Sequence, residues 1–226
     1  MKLHEFTNGL YPRRVTIYLV EKPINGIERV AYDPTSGWPA KELEKLNKAG
    51  TVPVLEGDNG AVIRSSIAIL EYLEEKYPTP TMIGSTPEAR ARVRELVSVA
   101  DEMTTYLTVW NHEGSPLFAR SARQNKTAGA VAARAYYKKL AHLEEHATES
   151  GGPFLAGENV TIADCVTMAT VQFAEALYGV PMPPSVPVLA SWYSRFIKRP
   201  SAVGCVYPQQ VLDVARGLPE HCPPAT

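Results

Sequence analysis

The stretch from Asn47 to Pro78 constrains the fold of this 226-residue chain more than any other segment. Its residue order predicts a loop, a strand that begins at Val52-Pro53, a hairpin, a second strand and a helix. Proline cannot donate a hydrogen bond to a sheet ladder, so Pro53 predicts a strand start at a sheet edge and a cis bond in a tight turn. Asp-Asn-Gly at residues 58–60 predicts the positive φ angles of a two-residue hairpin turn.

The helix predicted after this hairpin begins at two serines. Ser65 and Ser66 directly precede apolar residues at helical spacing: Ile67, Ile69, Leu70 and Leu73. A helix start offers unpaired backbone N–H groups, a hydroxyl and the positive end of the helix dipole, which together can hold a carboxylate. Val52, extended before Pro53, leaves its backbone N–H and C=O free to pair with a peptide. These features predict a site for a small peptide ligand.

Two sequence motifs of this stretch resemble the glutathione-binding half of glutathione S-transferases. Asn47-Lys48-Ala49-Gly50-Thr51-Val52-Pro53 is similar to the family's Asn-Pro-x-Gly-x-Val-Pro run, and Ser65-Ser66-Ile67-Ala68-Ile69 to its Glu/Gln-Ser-x-Ala-Ile. Lys48 replaces a common proline. Ser65 replaces the Glu or Gln that normally receives the γ-glutamyl amine. The resemblance extends over nearly all of the chain.

The resemblance implies an α/β thioredoxin-like domain followed by an all-α domain. We expect residues 1–78 to form the glutathione-binding domain, in the order βαβ and then ββα. Residues 79–87, with their prolines, are the expected linker, and residues 88–226 the helical domain that contributes the electrophile site. Thr161 and Asp164 have the spacing of a capping box before a helix at residues 162–178.

Composition narrows the class of protein further. A net charge of −1 argues against a nucleic-acid or anionic-membrane surface, and no run approaches the roughly 18 apolar residues of a membrane span. The N-terminus lacks the apolar core of a signal peptide. Three scattered cysteines predict neither a disulfide framework nor a zinc site. We therefore expect a cytoplasmic protein without a metal.

Glutathione chemistry requires the thiolate, which one hydrogen-bond donor at the turn after the first strand can stabilise. By the resemblance, the serine of serine-type members falls on Gly9, and the cysteine of bacterial cysteine-type members falls near Tyr11. Asn8 and Thr7 are the favoured activating residues over Tyr11, with a backbone N–H of the turn as the alternative. Because no cysteine occurs in residues 1–164, a mixed disulfide of the cysteine or omega type is excluded there.

The remaining ligand contacts are also implied by the resemblance. Ser66, assisted by Ser65, would hold the γ-glutamyl carboxylate, and Val52 before Pro53 would pair with the cysteinyl backbone. Trp38 and Lys41 would bind the glycyl carboxylate, although both also suit a surface position.

A hydrophobic electrophile would lie against the helical domain. Tyr106, Trp110 and Met103 share one helix face, which could equally be ordinary core. Arg13 and Arg14 are expected to face solvent or the other domain. His142 and His146 match an inverted zinc-protease motif but lie in a charged stretch, which favours a solvated helix face.

Three functions remain open within this resemblance. The first is a glutathione transferase with a role in detoxification, in which the thiolate attacks an apolar electrophile. The second is another glutathione-dependent activity: disulfide reduction, ether cleavage, dehalogenation or isomerisation. The third is a non-catalytic glutathione-binding interaction protein. The resemblance implies a homodimer in each case.

Overall fold

The computed structural model describes residues 1–33, 40–119, 123–204, 206–216 and 218. The chain divides into two compact units, Met1–Met82 and Ile83–Thr226. This boundary falls inside the stretch, residues 79–87, in which the sequence predicts a linker. Cys205, Cys222 and Trp38 lie outside the described residues.

Over its described residues, 1–33 and 40–82, the first unit is a four-stranded mixed sheet with three helices. Strand order is β2-β1-β3-β4, with β1 parallel to β2 and antiparallel to β3, and with β3 antiparallel to β4. This agrees with the predicted βαβ and ββα order. The elements are β1 Lys2–Glu5, α1 Leu10–Glu21, β2 Glu28–Ala31, α2 Lys41–Leu46, β3 Val54–Glu56, β4 Val62–Ile63 and α3 Ser66–Lys76.

The position of Pro53 in the sheet differs from the prediction. Strand β3 begins one residue later, at Val54, and it is an inner strand that pairs with both β1 and β4. The expectation of a sheet edge at Pro53 was wrong, because the proline precedes the ladder and removes no hydrogen bond from it. The expected cis peptide bond between Val52 and Pro53 is present.

The hairpin between β3 and β4 also differs from the two-residue turn. The N–H of Gly57 donates to the carbonyl of Ala61 at 2.8 Å, which leaves three residues in the loop. Gly60 has a φ of +80°, whereas none of the described non-glycine residues has a positive φ. A turn followed by one left-handed glycine is the usual three-residue hairpin, and Asp-Asn-Gly suits both loop lengths.

A buried carboxylate joins α1 to α3 inside the first unit. Glu74 on α3 accepts hydrogen bonds from the hydroxyl of Tyr18 and the ammonium of Lys22, both at 2.7 Å. Its second oxygen accepts the N–H of Met82 at 2.9 Å. The side chains of Lys22 and Glu74 are only 2% and 1% exposed, so the pair is almost fully removed from water.

The second unit is helical in all of its regular elements that the structure describes. Its helices are α4 Pro87–Gly114, α5 Lys126–Ser150, α6 Ile162–Tyr178, α7 Pro187–Phe196 and α8 Gln209–Ala215, with 3₁₀ turns at Pro116–Phe118 and Pro200–Ala202. The bounds of α6 agree with the helix predicted at residues 162–178. Within the described ranges, no helix has both the length and the apolar character needed to cross a membrane.

The predicted capping box at the start of α6 is confirmed. Asp164 accepts the backbone N–H and the hydroxyl of Thr161, each at 2.9 Å. It also accepts the N–H of Leu155 at 3.0 Å and the indole N–H of Trp192 at 2.9 Å. Burial raises the pKa of Asp164, although these four donors oppose the shift. Asp164 thus connects α6 to α7, and Cys165 beside it is a buried core residue.

Candidate functional site

The backbone of Val52 is available to a ligand. Val52 is half-buried and lies between the loop after α2 and the cis peptide bond to Pro53. Its N–H and C=O have no hydrogen-bond partner among the described residues. Since backbone groups away from the surface are almost always paired, these two form a ready attachment point for an extended peptide.

Asn47 fixes the loop that presents Val52. Its side-chain amide donates to the carbonyl and to the hydroxyl of Thr51, both at 2.8 Å, and its amide oxygen accepts the N–H of Ala49 at 3.2 Å. Gly50 adopts a φ of +63°, a conformation that glycine permits without steric cost. Asn47 is 6% exposed, so the loop is anchored from the inside.

The start of α3 supplies several unpaired donors beside a hydroxyl. Ser65 occupies the N-cap position in an extended conformation, and its exposed side chain caps nothing. The first intrahelical hydrogen bond runs from the N–H of Ile69 to the carbonyl of Ser65, at 2.8 Å. The N–H groups of Ser66, Ile67 and Ala68 therefore precede the hydrogen-bond ladder. This is the geometry in which a helix start binds a carboxylate.

Arg14 is a buried cation at this site, so it does not face solvent, which was one of the two positions expected for it. Its side chain is 1% exposed, and its guanidinium donates to the hydroxyl of Ser66 at 3.3 Å, inside the first unit. The same guanidinium lies 4.8 Å from the centre of the Tyr11 ring. Arg13 is also buried, at 8% exposure. The spacing of Leu10, Arg14 and Tyr18 along one helix face could have indicated this burial.

The turn between β1 and α1 brings the predicted activating residues together. Thr7 is exposed and Asn8 is half-buried, while Tyr11 is half-buried in the first turn of α1. The first intrahelical bond joins the N–H of Arg13 to the carbonyl of Gly9, at 2.9 Å. The N–H groups at positions 10 and 11 therefore remain available. This end of α1 offers a hydroxyl, an amide and backbone donors.

Gly9 is tightly packed, so a side chain at this position would be crowded. A Cβ on Gly9 would meet the Cβ of Phe6 at 3.1 Å and two ring atoms of Pro12 at 3.3 Å. Such contacts are closer than ordinary van der Waals separations, so neighbouring atoms would have to move.

The positions of the other predicted ligand residues give less support for a role in binding. Lys41 is the exposed first residue of α2. Met103 and Trp110 are 0% and 1% exposed in the second unit, and Trp110 packs 5.9 Å from the ring centre of Tyr136. This burial favours the alternative that they are ordinary core. Tyr106 on the same helix is partly exposed.

The histidine pair on α5 is only half solvated. His142 is exposed, but His146 is 8% exposed and its Nδ1 lies 2.6 Å from the guanidinium of Arg92. The expectation of a wholly solvated face was therefore wrong for His146. In the part of the chain that the structure describes, no group of three potential metal ligands occurs.

Comparison with known proteins gives matches over both units. The family model of the glutathione S-transferase N-terminal domain matches residues 3–81. The family model of the C-terminal domain matches residues 88–200. Glutathione S-transferase 2 of Saccharomyces cerevisiae is 30% identical over 208 residues, which cover 89% of this chain and 87% of that protein.

Two further matches extend the comparison. The crystal structure of Gtt2 from Saccharomyces cerevisiae superimposes with a TM-score of 0.79 at 28% identity, over 91% of this chain and all of that one. A maleylacetoacetate isomerase of Pseudomonas aeruginosa is 46% identical, but only over 54 residues, 24% of this chain and 26% of that protein.

Proposed function

The chain belongs to the glutathione S-transferase family, and on that premise we propose that it binds glutathione on its first unit and transfers the glutathionyl group, through its sulfur, to an apolar electrophile. One observation carries the proposal: the first unit has both an unpaired backbone at Val52 and unpaired N–H groups at the start of α3. A tripeptide can pair its backbone with Val52 and place its terminal carboxylate at the start of α3.

Each end of the tripeptide has a proposed partner. The N–H and C=O of Val52 pair with the cysteinyl backbone beside cis-Pro53. The γ-glutamyl carboxylate accepts from the Ser66 hydroxyl and the N–H groups behind it, with Ser65 assisting. Arg14 supports this assignment because its buried positive charge lies against the Ser66 hydroxyl. Lys41 and Trp38 are proposed for the glycyl carboxylate.

The thiolate is stabilised by the turn at residues 7–11. A thiol with a pKa of about 8.5 is mostly protonated at pH 7, and lowering the pKa by about 1.5 units requires roughly 2 kcal/mol. One hydrogen bond to a charged group contributes about 1.5–3 kcal/mol, so a single donor suffices. Asn8 and Thr7 are the proposed donors, with the N–H groups of Leu10 and Tyr11 as the alternative.

The chemical step is then a displacement. The thiolate sulfur forms a bond to the electrophilic carbon, and the leaving group departs with the electron pair of the bond that breaks. Catalysis comes from holding the reactants together and from keeping the sulfur ionised. Tyr106, with Trp110 and Met103 behind it, is the proposed contribution of the helical unit to the electrophile site. We also propose a cytoplasmic homodimer.

The test is conjugation of glutathione to a generic aromatic halide, with calorimetric titration of glutathione alongside. Saturable binding together with conjugation supports the transferase. Binding without conjugation removes the transferase but leaves the glutathione site intact. Failure of millimolar glutathione to bind removes both.

A second candidate is a different glutathione-dependent reaction, such as isomerisation. It is supported by the stretch similar to maleylacetoacetate isomerase and by the packed Gly9, which leaves the turn without the conventional serine. Assays of a cis-enone diacid and of a small disulfide, run beside the aromatic halide, separate this candidate from conjugation. A non-catalytic glutathione-binding protein would bind the tripeptide and turn over none of the three.

A further inference from the structure

Three polar side chains of the first unit, two from strands and one from the residue after a strand, form a hydrogen-bonded chain. Nδ1 of His4 on β1 lies 2.8 Å from the hydroxyl of Tyr32, which follows β2. Nε2 of the same ring lies 2.7 Å from a carboxylate oxygen of Glu56 on β3. The rings of His4 and Tyr32 also stack, with centres 5.9 Å apart and planes 20° from parallel. We name these three residues the sheet triad.

The direction of each hydrogen bond follows from the chemistry of the groups. An ionised carboxylate only accepts, so Glu56 requires the imidazole proton on Nε2. In the neutral ring, Nδ1 then carries a lone pair, and the Tyr32 hydroxyl must donate to it. The sheet triad therefore has the arrangement of a hydroxyl nucleophile, a base and a carboxylate that orients the base.

The backbone and the burial of the sheet triad hold this arrangement in place. His4 is 6% exposed, and its strand pairs on both sides. The N–H of Tyr32 donates to the carbonyl of Glu5 at 2.9 Å, which ties the tyrosine to β1. The Tyr32 side chain is nevertheless partly exposed, and so is that of Glu56, at 35%. The tyrosine side chain thus has contact with solvent, while the histidine behind it is shielded.

The surrounding charges decide how the hydroxyl would react. Burial raises the pKa of Tyr32, and the negative charges of Glu42 on α2 and of Glu56 raise it further. Lys2 and Glu28 are paired on neighbouring strands of the same sheet. Their charged groups lie 3.5 Å apart, so the two charges cancel each other. A preformed phenolate is therefore disfavoured, and activation requires transfer of the proton to His4 as the bond forms.

We propose that the sheet triad is a second reactive site, in which Tyr32 accepts an acyl group from an activated ester or thioester. The tyrosine oxygen forms a bond to the acyl carbon, and the bond from that carbon to its leaving oxygen or sulfur breaks. The tyrosine proton passes to Nδ1 of His4 and then to the departing group. The Glu56 carboxylate stabilises the imidazolium that forms. This acyl transfer requires no oxidant, reductant or metal ion.

The test is acetylation of the intact chain by p-nitrophenyl acetate, with peptide mapping by mass spectrometry. Half-buried Tyr72 on α3 is the internal reference, since the described residues give it no histidine partner. We expect Tyr32 to label at least about tenfold faster than Tyr72, because general-base assistance is worth roughly a hundredfold or more in favourable cases. Tyr32→Phe removes the label.

Two variants identify the base. His4→Gln should reduce labelling of Tyr32 to the rate of Tyr72. Glu56→Gln should reduce it less, because the amide oxygen still accepts from Nε2. An unchanged Tyr72 rate in each variant shows that the unit remains folded.

Two outcomes would overturn the proposal. One is labelling of Tyr32 less than about tenfold faster than that of Tyr72 in the wild-type chain. The other is labelling that survives in His4→Gln while Tyr72 reacts normally. Neither depends on glutathione, so this site and the proposed transferase stand or fall separately.

Discussion

Replacing Ser66 by alanine is expected to weaken glutathione binding by roughly 10- to 150-fold. The proposed role of its hydroxyl is a hydrogen bond to the γ-glutamyl carboxylate, and such bonds to charged groups contribute about 1.5–3 kcal/mol. Each 1.4 kcal/mol corresponds to about a factor of ten in Kd. Ser66 is only 5% exposed, so water has little room to replace the missing hydroxyl.

The same substitution should have only a small effect on stability. The Arg14 guanidinium donates to the Ser66 hydroxyl at 3.3 Å, which is long for a hydrogen bond between nitrogen and oxygen. Losing one acceptor of a buried cation at that distance should cost about 1 kcal/mol of unfolding free energy. The folded unit should therefore survive with its ligand site specifically weakened.

Ser65→Ala is the matched control. Ser65 is the neighbouring serine, exposed and without a capping hydrogen bond. Its removal should leave the unfolding free energy within about 0.5 kcal/mol of wild type and reduce affinity much less than Ser66→Ala does. Both variants keep the backbone N–H groups of α3, so the difference between them isolates the Ser66 hydroxyl.

The assay is calorimetric titration of each variant with glutathione, with urea unfolding of the same samples. A Kd for Ser66→Ala within about threefold of wild type would refute the assignment of the hydroxyl to the carboxylate. An equal loss of affinity in both variants would also refute it, because the buried and exposed serines would then be equivalent.

Three further predictions concern the first unit. Glu74→Gln should destabilise it by about 3–5 kcal/mol in urea unfolding, because it leaves the buried ammonium of Lys22 without its carboxylate; a loss below 1 kcal/mol would contradict this. Gly9→Ser should lower stability by about 1–2 kcal/mol without raising conjugation, because the added Cβ crowds Pro12 at 3.3 Å; a faster variant would contradict the steric argument. Hydrogen bonds from the Lys76 ammonium and the N-terminus lower the pKa of Asp58 from 3.8 to about 2. The wild-type chain should therefore be more stable than Asp58→Asn by its full margin above pH 3.8, and this margin should vanish as the pH falls towards 2. Unfolding of both proteins across that pH range measures the margin.

Local sequence signals were sufficient for much of the fold. The serines before an apolar periodic stretch predicted the start of α3, and the spacing of Thr161 and Asp164 predicted the start of α6. These signals are read correctly because the residues that form them are neighbours in the chain. Asp-Asn-Gly was misread because it fits two loop lengths, and only pairing of the strands decides between them.

The candidate site was predictable only in part. A single arginine usually lies at the surface, so the burial of Arg14 against Ser66 became clear only once α1 and α3 were packed together. An apolar stripe does not distinguish core from ligand contact, which left Met103 and Trp110 ambiguous. The sheet triad joins residues of β1 and β3 with the residue that follows β2, and the strand pairing that aligns them cannot be read from the sequence.

The central claim is that Val52 and the start of α3 together hold glutathione. An amide-resolved NMR titration tests it most directly, because each N–H in question gives its own signal. The account predicts that the signals of Val52, Ser66 and Ile67 shift together and saturate with one dissociation constant as glutathione is added. Saturable binding that leaves these three signals in place, and shifts others instead, would contradict the account.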